Sequence, residues 1–259
     1  MKALAASRRH RFAPVILMAL ALLFTGAIYA ALAPNAAQAD TASATDIAEG
    51  ERLFITNCST CHGMSAQGTA DGPALIGVGA AAVHFQVVTG RMPMAANAPQ
   101  AEAKPPQLTG EQAQQIAAHI ASLGAGPSIP SDQQVDPTLG DAANGMQVFR
   151  TNCAMCHNAV GAGGALSEGK YAPALDGATA TVIYEAMLTG PQSMPVFNDA
   201  TLTPDEKRDV IAYLMEQRQP NPGGLDLGSF GSVSEGIWVF VVGIGLLIGA
   251  AVWIGVRSS

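Results

Sequence analysis

The chain has 259 residues, 49% of them hydrophobic and 13% charged, with a formal net charge of −7. An acidic, charge-poor surface is unsuited to nucleic acid, whose phosphates select basic partners, and the length allows one or two domains. Aromatic residues make up only 5% of the chain, so small domains built from it need another source of apolar surface.

In chain order, Lys2, Arg8, Arg9 and Arg11 precede an almost purely apolar run from Pro14 to Ala33. Such a run matches the thickness of a bilayer. The stretch Ala37–Asp40, "AQAD", offers an A-x-A cleavage site, but the apolar run exceeds the usual h-region. Residues 1–39 therefore read as an N-terminal membrane anchor or signal segment, the two alternatives remaining open.

Next comes "EGERLFITNCSTCHG", and some 95 residues later "NGMQVFRTNCAMCHN". The four cysteines of the chain, Cys58, Cys61, Cys153 and Cys156, all lie in these two stretches. Each pair has the form C-x-x-C-H, the pattern for covalent attachment of a c-type haem. A thioredoxin-type dithiol would sit beside a βαβ pattern, and a zinc site would place its pairs some 15–20 residues apart. Neither alternative requires His62 and His157, so two covalently bound haems c are expected, with Cys58, Cys61, His62, Cys153, Cys156 and His157 as their binding residues.

The repeat extends beyond the motif. Gly50 and Phe54 precede Cys58 at the same distances as Gly145 and Phe149 precede Cys153. Gly and Phe four apart share one helix face; the glycine would allow close helix packing and the ring would cover the haem edge. A Gly-rich loop follows each motif and ends in Pro-Ala-Leu, at Pro73 and Pro173. Each copy then has a helical stretch ending in Thr-Gly, a Met-Pro (Met92-Pro93 and Met194-Pro195), and a last helix. Thr109 with Gln112 and Thr203 with Glu206 have the spacing of capping boxes, and Pro204 suits a first helical position.

The motif histidines His62 and His157 are the expected proximal ligands. A sixth ligand closes the iron for electron transfer, whereas an open position admits oxygen or peroxide chemistry. The second copy has no spare histidine, and Met194 is its best ligand. In the first copy "TGRMPMA" offers Met92 and Met94; the proline after Met92 fixes the backbone there and favours Met92. His84 is expected on a helix face, and His119 in the core or on the surface.

After Pro- and Gly-rich residues comes a second uncharged run, 236–256, with Trp238 and Trp253 near its ends, as interfacial aromatics are placed. It reads as a transmembrane helix. By the positive-inside rule, the basic N-terminus and Arg257 lie in the cytoplasm. Everything between the two segments then lies outside, in a cell membrane protein with extracytoplasmic haem domains.

Helix, C-x-x-C-H, loop, helix, Met-Pro, helix is the order of a small cytochrome c. The expected fold class is all-α: two tandem class I cytochrome c domains, 44–124 and 139–219, joined by a linker at 125–138, with the C-terminal transmembrane helix at 236–256 and the N-terminal hydrophobic segment. The resemblance suggests that the carbonyls of Pro73 and Pro173 orient the ligand histidines. From end to end, on "CSTCH", "TGRMPMA" followed by "KPPQLT", "CAMCH", "MPVF" and the C-terminal anchor, the chain resembles the dihaem cytochrome c subunit of the actinobacterial cytochrome bc1 complex, a menaquinol–cytochrome c reductase and translocase.

That resemblance implies electron transfer from the Rieske iron–sulfur centre through two haems to an aa3-type cytochrome c oxidase. It implies a cytochrome b subunit, a Rieske iron–sulfur subunit and, in a supercomplex, that oxidase as partners. The chain itself would transfer electrons only, with no catalytic residues. Competing readings are a dihaem subunit of another oxidase or dehydrogenase complex, and a dihaem peroxidase.

Overall fold

The computed structural model describes residues 12–32, 42–96, 98–218 and 232–257. Lys2, Arg8, Arg9, Arg11, the "AQAD" stretch and the Pro- and Gly-rich residues 219–231 lie outside the described residues. By its contacts the chain divides at Thr41/Ala42 into two units. The first holds helix α1 (Ala13–Leu32), whose Leu17, Leu20, Leu22, Leu23 and Phe24 are exposed.

In the second unit each sequence repeat forms its own helical layer and core. The first comprises α2 (Ala44–Asn57), the single turn α3 (Ser59–His62), α4 (Ala80–Val88) and α5 (Gly110–Leu123). Leu53 and Phe54 of α2, Val83 and Val87 of α4, and Ile116 and Ile120 of α5 meet in one buried cluster. Val83 and Val87, like Ile116 and Ile120, are four residues apart, the spacing that keeps each pair on one helix face.

The second repeat follows the same plan with α7 (Ala142–Asn152), the turn α8 (Ala154–His157), α9 (Ala180–Thr189) and α10 (Pro204–Glu216). Phe149, Ile183, Tyr184, Met187, Val210 and Leu214 lie in its cluster. Between α8 and α9 a two-residue ribbon pairs β1 (Gly164–Ala165) with β2 (Tyr171–Ala172) in antiparallel register. The stretch expected as linker contains the short helix α6 (Asp132–Val135) and a 3-10 turn at Pro137–Leu139. Ser131 and Gln134 cap α6 reciprocally.

Both expected capping boxes are formed. Thr109 accepts from Gln112 N and Thr203 from Glu206 N, and each partner side chain accepts from the cap's own N–H. Pro204 occupies the first turn of α10. Removing the hydroxyl orphans an amide at a helix start. Thr203→Ala is therefore expected to cost about 1 kcal/mol, read as a lower midpoint in denaturant unfolding of the haem-loaded chain.

The glycines predicted to bring helices together do so. A Cβ on Gly50 would lie 1.9 Å from Gln115 O on α5, and one on Gly145 would lie 1.9 Å from Asp209 O on α10. Helix α11 (Ser232–Arg257) closes the chain. Its 22 residues from Gly236 to Arg257 are apolar and unburied; at 1.5 Å per residue they span about 33 Å, enough to cross a hydrocarbon core. The Arg257 guanidinium stacks over Trp253, 4.9 Å from the ring centroid.

Candidate haem sites

Each C-x-x-C-H stretch continues the helix before it by one turn. Cys58 N donates to Phe54 O (2.8 Å) and His62 N to Cys58 O (3.0 Å); Cys153 N donates to Phe149 O (2.8 Å) and His157 N to Cys153 O (2.9 Å). The loop then folds back beneath the histidine. Gly68 N donates to His62 O and Gly163 N to His157 O. Both glycines have positive φ, 85° and 81°, a conformation that glycine adopts at little cost.

That return places a carbonyl against each imidazole. His62 Nδ1 is 2.8 Å from Pro73 O, and His157 Nδ1 is 3.0 Å from Pro173 O. A carbonyl only accepts, so Nδ1 must carry the proton, and Nε2 keeps its lone pair for a metal. Burial pulls the His157 pKa down, with the Pro173 contact opposing it, which favours the same neutral form.

The first thiol of each motif is sheltered. Burial, with a smaller contribution from the second cysteine, pushes Cys58 and Cys153 up to about 11. Such thiols stay protonated near neutrality, unlike the activated thiolates of redox dithiols. Among the described residues, no three His, Cys, Asp or Glu side chains gather to hold a metal. The two cysteine pairs thus do not converge on a shared zinc site.

Beside Cys153, Cys156 and His157 opens a cavity of about 410 Å3. Phe149, Val182, Ile183, Met187, Leu214 and Met194 line it. The loop carrying Met194 is held by four hydrogen bonds. Met194 N donates to Pro191 O (3.0 Å), and Phe197 N donates to Met187 O (2.8 Å). The fully buried Lys207 of α10 reaches the same loop, donating to Asp199 Oδ1 (2.6 Å) and Leu202 O (2.8 Å). An apolar slot with two thiols and an imidazole at one end and a thioether on its wall fits a covalently held haem.

In the first repeat Met92 N donates to Gln86 O (3.0 Å), and Lys104 Nζ donates to Pro93 O (2.6 Å). Met94 instead lines a groove of about 280 Å3 with Gly169 and Tyr171 of the second repeat, and neither Cys58, Cys61 nor His62 borders that groove. His119 is a core residue whose ring lies 5.6 Å from that of Phe54. The corresponding place in the second repeat is taken by Tyr213, 5.5 Å from Phe149.

The family model described as "Cytochrome c" matches residues 47–124, and that described as "Cytochrome C oxidase, cbb3-type, subunit III" matches 140–214. A protein named "Cytochrome bc1 complex cytochrome c subunit" from Corynebacterium efficiens is 46% identical, with 96% of this chain and 90% of that protein covered. The like-named protein of Corynebacterium diphtheriae is 45% identical over 99% of both chains. That of Mycobacterium tuberculosis is 44% identical over 96% and 92%. The chain belongs to the family of cytochrome bc1 complex cytochrome c subunits. Its two helical layers are cytochrome c domains, and cytochrome c domains carry covalently bound haem c.

Sequence reasoning missed three parts of this cytochrome. Lys207 carries no local signal in the sequence, yet it is fully buried. Gln100 clamps the second repeat's ribbon, its Nε2 donating to Tyr171 O (2.8 Å) and its Oε1 accepting from Tyr171 N (2.9 Å). His84 does sit on a face of α4, but that face is buried against α9, where Nδ1 is 2.7 Å from Glu185 Oε1. A signal for this pair existed: His84 is the only basic residue of α4, and Glu185 the only acidic residue of α9.

Proposed function

We propose that the chain is the membrane-anchored dihaem electron-transfer subunit of a cytochrome bc1 complex, with cytochrome c domains at 44–124 and 139–219 around the linker 125–138. The observation that carries the reading is the duplicated histidine–proline contact, which leaves one imidazole lone pair free beside each cysteine pair. Cys58, Cys61, Cys153 and Cys156 would supply the thioethers, and His62 and His157 the proximal ligands. Met194 and Met92 would supply the sixth ligands; the proline after Met92, which fixes the backbone there, supports Met92, and Met94 lines a groove that Cys58, Cys61 and His62 do not border. Haem iron ligated by His and Met supplies one-electron transfer at raised potential.

The chain's own residues hold and insulate that group. Pro73 and Pro173 fix the imidazoles and increase their basicity, while Phe149 and Leu214 keep water from the second pocket. In this reading electrons arrive from the Rieske iron–sulfur subunit, beside a cytochrome b subunit, and leave for an aa3-type oxidase within a supercomplex. The assembly is a quinol–cytochrome c reductase and translocase. The haem domains face the extracytoplasmic side, where α11 holds them at high effective concentration against their partners.

Haem staining of the denatured full chain, with a pyridine haemochrome count, tests the cofactor: two haems per chain are expected, and an unstained band overturns the reading. Co-purified chains test the complex. The match of 140–214 to a cbb3-type oxidase subunit favours one alternative, service to another oxidase, and recovery of a cbb3 catalytic subunit in place of a cytochrome b and Rieske pair would establish it. A dihaem peroxidase needs an open iron. Met194→Ala is therefore expected to remove the second domain's share of the methionine–iron charge-transfer band and leave the first domain's share intact. Loss of neither share would remove Met194 as a ligand.

A further inference from the structure

The cavity beside His157 is not built by the second domain alone. Phe85, Val88, Thr89, Arg91, Gln100 and Ala103 of the first domain form one of its walls. Arg91 is the only lysine or arginine on the whole lining. None of the second domain's own cations, Arg150, Lys170, Lys207, Arg208 and Arg218, reaches it.

Arg91 is also unusual in itself. It is only 9% exposed. Its guanidinium lies over the Phe85 ring, 5.0 Å from the centroid, yet among the described residues no carboxylate or carbonyl accepts a hydrogen bond from it. A guanidinium carries five donors in a planar fork suited to carboxylates, and beside the cavity those of Arg91 face no acceptor among the described residues. The segment bearing it is fastened in place. Gln100 makes its two bonds to Tyr171, and Ala101 N donates to Gln192 Oε1 at 3.4 Å.

A haem is apolar except at one edge, which carries two carboxylates, its propionates. We infer that Arg91 of the first domain is the charge partner of a propionate on the haem held by the second domain. The first domain thus completes its neighbour's cofactor site. This rests on the proposal that the second domain carries a haem. Arg91 acts as a positioning and tuning residue: a cation beside the macrocycle stabilises the reduced, less positive iron and raises its potential.

The test is a redox titration of the purified full-length protein, following the haem absorbance. Two one-electron waves are expected, and the wave displaced by Met194→Ala is that of the second domain. Arg91→Gln should make that haem harder to reduce by about tenfold in its equilibrium constant, equivalent to ~59 mV for one electron. Arg91→Met, which keeps an apolar stem over Phe85, should do the same if the glutamine variant does not accumulate. Arg91→Lys should recover most of the shift. Because Arg91 adjoins Met92, the first domain's charge-transfer band is recorded in each variant and should persist. A second-domain wave that stays in place, or a shift confined to the first-domain wave, overturns the inference while leaving the two-haem reading intact. A pyridine haemochrome count below two haems per chain in the unsubstituted protein refutes that reading instead.

Discussion

Gly145→Ala is expected to destabilise the second domain by about 3 kcal/mol or more, the upper range of overpacking effects. The added Cβ would lie 1.9 Å from Asp209 O and 2.9 Å from Val210 N, both main-chain atoms of α10. No rotamer change relieves a clash with backbone, so the two helices must separate. They are tied at this crossing: Asp209 Oδ1 accepts from Asp141 N (2.7 Å) and Oδ2 from Asn144 Nδ2 (2.8 Å). Separation would therefore also strain a buried carboxylate's hydrogen bonds and open the core around Phe149 and Val210. Denaturant unfolding of the haem-loaded chain, followed at the haem band, measures the effect. Gly110→Ala is the control, because a Cβ there meets nothing within 4 Å and alanine favours a helix. Equal midpoints for Gly145→Ala and the parent would show that the crossing is not close-packed.

The second large effect belongs to the contact between domains. His84→Ala is expected to cost about 3–5 kcal/mol, the penalty for stranding one member of a buried pair. Glu185 is fully buried; its Oε1 meets His84, while its Oε2 has no hydrogen-bond partner among the described residues. Burial raises its pKa, and the hydrogen bond and charge of His84 oppose that rise. Without His84 the carboxyl group would keep the desolvation and lose its only compensation. Glu185→Gln, which retains a side-chain acceptor, should cost much less. Replacing both residues with leucine should recover most of the loss, since apolar substitutes for a buried pair are often neutral or stabilising. A double-mutant cycle on unfolding free energies gives the coupling directly, and a coupling near zero would show that the pair does not hold the domains together.

These two cases mark where the sequence is legible and where it is not. Gly145 could be predicted because its role depends on local periodicity: a glycine four residues before a phenylalanine, the spacing shared with Gly50 and Phe54. The capping boxes of α5 and α10 were readable for the same reason, as reciprocal hydrogen bonds across three residues. The proline–histidine contacts followed from family resemblance and the repeated Pro-Ala-Leu. His84 and Glu185 lie 101 residues apart, and no local pattern pairs them. Gln100 and Tyr171 are similarly remote, and a ribbon of two-residue strands is too short to leave an alternation in the sequence. Lys207 shows a further limit. Its placement on α10 is helical and regular, but its burial depends on how the loop after Met194 folds back over it.

The shared wall of the second cavity bears on how this duplicated chain can be taken apart. A repeated sequence invites treatment of its copies as exchangeable modules, each folding and working alone. Here Phe85, Arg91 and Gln100 belong to one copy by sequence and to the other by architecture. A fragment cut within residues 125–138 would leave the second copy with its slot open to solvent on one side. Replacing the first copy by a second copy of residues 139–219 would give that slot a neighbour without Arg91 and Gln100. The repeat makes the two copies alike, and the shared wall makes the second depend on the first.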